Sequence, residues 1–123
     1  MVAQDLGKGT VIIYRMDRAS DTVGIWIDGR QAVTLDYRSR AIAKLSPGKH
    51  EFRSNNKNYS VVLDIEAEKT YYLREEYGYG KYLEPKVLLQ VSEEIGRAQN
   101  LKTKPVEAKN IIDSELIAAP VKR

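Results

Sequence analysis

Tyr59-Ser60-Val61-Val62-Leu63-Asp64-Ile65-Glu66-Ala67-Glu68-Lys69-Thr70-Tyr71-Tyr72-Leu73-Arg74 is the stretch that decides the fold class. Tyr59, Val61, Leu63, Ile65 and Ala67 alternate with Ser60, Asp64 and Glu66, the period of two expected of a strand with one apolar and one wet face. Glu68-Lys69 then turns the chain into Thr70-Tyr71-Tyr72-Leu73-Arg74, whose aromatic residues favour a second strand.

The same signal extends in both directions. Upstream, Val11-Ile12-Ile13-Tyr14 reads as a strand buried on both faces. Val23, Ile25 and Ile27 alternate with Gly24, Trp26 and Asp28, and Asp28-Gly29 supplies the positive φ angles of a tight hairpin turn into Arg30 to Leu35. A strict two-residue turn pairs Ile27 with Arg30 and puts Val33 on the face of Trp26, so a bulge is expected to restore the register. Tyr37 to Leu45 alternates Arg40, Ile42 and Lys44 against Ala41, Ala43 and Leu45. The Ser46-Pro47-Gly48-Lys49 turn and the short strand His50 to Arg53 follow. Downstream, Pro85 opens a last strand through Val87, Leu88, Leu89 and Val91. The pattern predicts a mostly β chain, an antiparallel sandwich of about eight strands.

Ser92 is placed to cap a short helix, with Glu93 and Glu94 in its first turn and Ile95, Ala98 and Leu101 on the side expected to close the sandwich. Beyond Lys102-Thr103-Lys104-Pro105, the spacing of Ile111, Ile112, Leu116 and Ile117 suits a second, weaker helix over Val106 to Ala119. The division expected is a sandwich domain over residues 7–101 and a C-terminal extension, helical or flexible, over 102–123.

The 123 residues are enough for one hydrophobic core, not two. Twenty Lys and Arg stand against 17 Asp and Glu, a net charge of +3 with the signs interspersed, so no nucleic acid is expected as a partner. The absence of cysteine excludes disulfides, cysteine zinc sites and thiol nucleophiles. The start of the chain lacks the apolar stretch of a signal peptide, and the longest apolar run, Val11 to Tyr14, is far too short for a membrane span.

Ser46-Pro47-Gly48-Lys49-His50-Glu51-Phe52, followed by Leu63 to Arg74 as quoted above, resembles the bacterial domain-of-unknown-function family 2846. The strand from Gly9 to Arg15, the Ile27-Asp28-Gly29-Arg30 hairpin and Val91-Ser92-Glu93-Glu94-Ile95-Gly96-Arg97 extend the likeness over Gly7 to Leu101. The resemblance implies a compact sandwich similar to PEGA-type repeats, an immunoglobulin-like arrangement, in a family often met as lipoproteins of the cell envelope. It implies a periplasmic or envelope-associated setting, no enzymatic role and no functional residues to carry over. This chain departs from the lipoprotein pattern in having no lipid-accepting cysteine.

Chemistry-bearing residues are few. His50 is the sole histidine, and its ring is expected to be half-buried, sharing a strand face with Phe52 and bonded near the Pro47-Gly48 turn. Glu75 and Glu76 are adjacent and so point to opposite faces of a strand. Asp64 and Glu66 share a face and, with Glu68 or a loop carbonyl, form at most a weak calcium site. Arg15, Arg18, Arg38 and Arg40 are a candidate anion or lipid-headgroup cluster, largely neutralised by Asp17, Asp21 and Asp36.

The most suggestive segment is Tyr77-Gly78-Tyr79-Gly80-Lys81-Tyr82, whose aromatics on a glycine-flexed loop offer contact area at low entropic cost. The candidate binding residues are therefore Tyr77, Tyr79, Lys81, Tyr82 and Trp26, with no catalytic residue, metal or cofactor expected. The expected partners are an envelope protein or a glycan, met through the tyrosine loop or through exposed strand edges. Two competing readings are a hydrolase using Asp64 or Glu75 with His50, and a homo-oligomer in which Val106 to Ala119 docks on a neighbour.

Overall fold

The computed structural model of the protein describes residues 7–16, 22–55, 58–77 and 86–119. The strands are β1 (Gly9–Arg15), β2 (Val23–Ile27), β3 (Arg30–Leu35), β4 (Ser39–Leu45), β5 (Gly48–Arg53), β6 (Ser60–Ile65), β7 (Thr70–Tyr77) and β8 (Lys86–Val91), followed by helix α1 (Glu93–Asn100) and the two-residue β9 (Lys104–Pro105). They form a five-stranded sheet in the order β8-β7-β1-β4-β9, here the first sheet, and a four-stranded sheet in the order β3-β2-β5-β6, the second. The mostly β sandwich anticipated from the alternation is present, and each of the eight expected strands is found.

Period-two patterning does the packing. Val11 and Ile13 of β1, Ala41, Ala43 and Leu45 of β4 and Leu73 of β7 turn inward from the first sheet. They meet Val23, Ile25 and Ile27 of β2, Phe52 of β5 and Leu63 and Ile65 of β6 from the second, all with 5% exposure or less. β1 is covered on both faces: Tyr14, on the outer side, is also fully buried because α1 lies over it.

The β2–β3 hairpin has the expected irregularity. Asp28 and Gly29 take φ of 53° and 82°, the geometry of a primed turn whose twist matches the strands it joins. Ile27 pairs with Arg30 and Trp26 with Gln31, but Ile25 pairs with Val33, so Ala32 is the extra residue of a bulge. Without it Val33 would face solvent; with it Ala32, Val33 and Leu35 are all buried.

Three expectations are corrected. First, pairing is not wholly antiparallel. β1 lies parallel to β7, and β4 parallel to β9, so the first sheet is mixed.

Second, Val106 to Ala119 is no helix. It is a strap held by strand edges: β9 pairs with β4 at Ser39 and Arg40, and a 3-10 turn follows at Ala108–Asn110. Ile112 and Asp113 both donate their N–H to the Ala32 carbonyl at 2.9 and 3.0 Å. The chain then returns along β4, where Ala118 donates to Ile42 and Lys44 to Leu116, each at 2.8 Å. Val106 and Ile117 are 3% and 2% exposed, so the segment completes the core instead of hanging from it. The apolar spacing reflects two separate anchor points on edges that sequence alone does not bring together.

Third, α1 docks by the side opposite the one expected. Ser92 caps it, its hydroxyl accepting from the Ile95 N–H at 3.3 Å, but the buried residues are Gly96 and Asn100. Ile95, Ala98 and Leu101 face outward. The sheet surface beneath explains this: it presents the Tyr72 ring, which admits nothing larger than glycine, and polar groups that suit Gln99 and Asn100.

Candidate functional site

The strand registers assign every chemistry-bearing side chain of the described residues to a place. One pole of the sandwich carries the Asp28-Gly29 and Ser46-Pro47 turns, and His50 joins them. Its Nδ1 is 2.6 Å from Asp28 Oδ2 and its Nε2 is 2.8 Å from the Ser46 carbonyl. Both partners are acceptors, so only the doubly protonated imidazolium satisfies both contacts at once. Burial of the ring disfavours that charge, but the Asp28 hydrogen bond, the Ser46 carbonyl and the Asp28 charge together outweigh it and raise the His50 pKa above 6.5. Asp28 is itself fixed, its Oδ1 accepting the Glu51 N–H at 2.9 Å. The half-buried ring beside the Pro47-Gly48 turn is as expected; Asp28 as its partner was legible only as a turn residue.

At the other pole lies an ion pair inside the core. Arg15 and Glu75 are opposite each other in the β1–β7 register, both face inward, and both are essentially unexposed. Arg15 Nε stands 3.8 Å from Glu75 Oε1, while its Nη1 donates to the Leu35 carbonyl at 2.9 Å and ties the first sheet to the second. The clue was present: Arg15 continues the parity of Val11 and Ile13, and Glu75 that of Tyr71 and Leu73. Glu76 lies on the opposite face, where it pairs with Arg74. The two adjacent glutamates are thus separated by the sheet itself, as the strand geometry requires.

Among the described residues, Arg15 and Arg40 of the expected arginine cluster do not come together. β1 and β4 do meet at one pole, but Arg15 points into the core while Arg40 lies outside and donates to the Asn100 and Thr103 carbonyls. Arg18, Asp17 and Asp21 lie outside the described residues. Beside Arg40, buried Tyr14 donates its hydroxyl to Gln99 Oε1 at 2.6 Å, and Arg74 donates to the same oxygen at 3.0 Å. Burial pushes the Tyr14 phenol up despite the nearby Arg74 charge, keeping it a donor. This polar group fastens α1 to the sheet.

Asp64 is exposed on the outer face of β6, while Glu66 pairs with Lys69 at 3.3 Å and Glu68 accepts the Gly7 N–H at 3.3 Å. Among the described residues no three His, Asp or Glu side chains are grouped so as to hold a metal ion.

Of the candidate binding residues, Trp26 is on the outer face of the second sheet and Tyr77 ends β7 in the first. Tyr79, Lys81 and Tyr82 lie outside the described residues. The Trp26 ring edge sits over Gly24, where a Cβ would come 2.6 Å from Cζ3, and the Arg53 guanidinium is 4.5 Å from the ring centroid. Asn55 Oδ1 accepts the Gly24 N–H at 2.9 Å beside it. The indole makes a cation–π contact with Arg53 that sequence reasoning did not pair.

Among the described residues two strand edges are unpaired. The strap covers β3 and β4 on one side of the sandwich, while β8 and β6 end their sheets on the other with no further strand among the described residues. A cleft of about 460 Å³ between the strap and the sheet is lined by Lys8, Lys44 and Ser114 to Ala119. Lys44 there bonds Thr10 Oγ1 at 2.9 Å. No helix of the described residues is long and apolar enough to cross a membrane. Compared with family models, with curated proteins and with solved structures, the chain matches none.

Proposed function

We propose that this chain is a non-catalytic binding or structural module of the bacterial cell envelope. One observation carries the first half of that reading: among the described residues, the side chains that the hydrolase reading names, His50, Glu75 and Asp64, do not converge. His50 is held at both nitrogens at one pole, Glu75 is paired inside the core near the other, and Asp64 faces solvent on the outside of the second sheet. A general acid and base must reach one substrate together. The envelope setting rests on the resemblance of the Ser46 to Phe52 turn and the Leu63 to Arg74 hairpin to family 2846.

Contact, on this reading, is made through backbone and aromatic surface. The β8 edge, Lys86–Val91, offers donors and acceptors to an extended segment of an envelope protein. The tyrosines of the Tyr77 to Tyr82 stretch, which lies between β7 and β8 in the sequence, are the residues offered to a glycan. Co-sedimentation with purified peptidoglycan sacculi tests the glycan route: the wild-type chain is expected in the pellet and a Tyr79→Ala/Tyr82→Ala variant in the supernatant. Equal pelleting of both eliminates that loop. Turnover of chromogenic esters or glycosides that disappears in His50→Asn would overturn the non-catalytic reading.

A further inference from the structure

Helix α1 turns its apolar residues away from the sheet. Gly96, Gln99 and Asn100 meet the protein, while the opposite side, centred on Ala98, carries Glu94, Ile95, Leu101 and Lys102. At 3.6 residues per turn these five positions fall within an arc of about 120°. Leu101 is 76% exposed and Ile95 46%. Lys102 belongs to the same turn, its N–H donating to the Gln99 carbonyl at 2.9 Å. Glu93 and Arg97 on the flank are taken up by their own ion pair, whereas Glu94 and Lys102 have no ion-pair partner among the described residues.

We propose that this helix face binds the same face of a second copy of the chain, the two helices antiparallel about a two-fold axis at Ala98. A two-fold contact is self-complementary, so each pairing occurs twice. With the axis at Ala98, Ile95 lies opposite Leu101 of the second copy and Glu94 opposite its Lys102. Every apolar side chain meets an apolar one and every available charge meets its opposite. A parallel arrangement would set Glu94 against Glu94 and lose both pairs. Ala98 at the crossing point admits close approach of the axes, near the lower end of the usual 8–10 Å range, roughly. The helix is only about 12 Å long, so the contact falls below the roughly 800 Å² per partner of a standard interface. The dimer is therefore weak and salt-sensitive.

Sedimentation equilibrium of the full chain over a concentration series reaching about 1 mM tests this. The wild type is expected to show a reversible monomer–dimer equilibrium. Leu101→Glu should be monomeric throughout, and Glu94→Lys or Lys102→Glu alone should weaken association about tenfold or more. The double reversal Glu94→Lys/Lys102→Glu restores both charge pairs in the antiparallel geometry and should return association to within roughly threefold of wild type. All three positions are exposed, and far-ultraviolet circular dichroism should be unchanged in every variant. A wild-type monomer at the highest concentration overturns the proposal. So does a dimer that survives Leu101→Glu, or a double reversal that stays as weak as the single ones.

Discussion

His50 couples proton binding to the closure of one pole. Its folded pKa lies above the unfolded value, so the ring's contribution is complete below about pH 6.5 and is lost as pH rises through the folded value. Urea midpoints for wild type and His50→Asn should therefore differ more at about pH 6 than at about pH 9. A gap independent of pH would mean that the Asp28 and Ser46 contacts do not hold the charged ring. The Arg15–Glu75 pair behaves differently because neither group meets water. Glu75→Ala leaves a guanidinium in the core and should cost about 3–5 kcal/mol, whereas Arg15→Met/Glu75→Leu together should be near neutral or stabilising. Chemical denaturation of the single and double variants checks this, and additive losses would refute it.

Gly96 decides how α1 sits, and buried Ile117 anchors the strap. A Cβ at Gly96 would overlap the Tyr72 ring carbons, so Gly96→Ala should lift the helix and destabilise the protein by about 1–3 kcal/mol. Unchanged stability would show that the ring yields. In the strap, Ile117→Ala should cost about 2–5 kcal/mol, far more than a residue in a loose tail would, and thermal unfolding measures it.

These two elements are also where sequence and structure part. The strands were legible because alternation is local, and even the Ala32 bulge followed from the clash between a two-residue turn and the parity of Val33. The strap was not, because Val106 and Ile117 face edges made by distant strands. Helix α1 was found by its cap, but its orientation depends on Tyr72 and Tyr14 beneath it. The candidate binding site was legible only as composition: Trp26 proves to be held by Arg53 and Gly24, partners that adjacent strands supply.

On the scale of the whole molecule, the strap seals one side of the sandwich, and among the described residues no strand pairs with the outer edges of β6 and β8 on the other. The parallel neighbours β1 and β7 stand at the centre of the first sheet, an arrangement that no hairpin signal announces. Val11 pairs with Ala43 on one side and with Tyr71 on the other, both remote in the chain. The β2–β3, β5–β6 and β7–β8 pairs, by contrast, join strands that are neighbours in the sequence. Loop-closure entropy therefore delays β1 until the rest of the chain is drawn in around it. We predict that its docking limits the rate of refolding: truncating Ile13 should slow the folding limb seen by stopped flow, while truncating Val62 on the β6 edge should leave that limb nearly untouched, and equal effects on that limb would refute it.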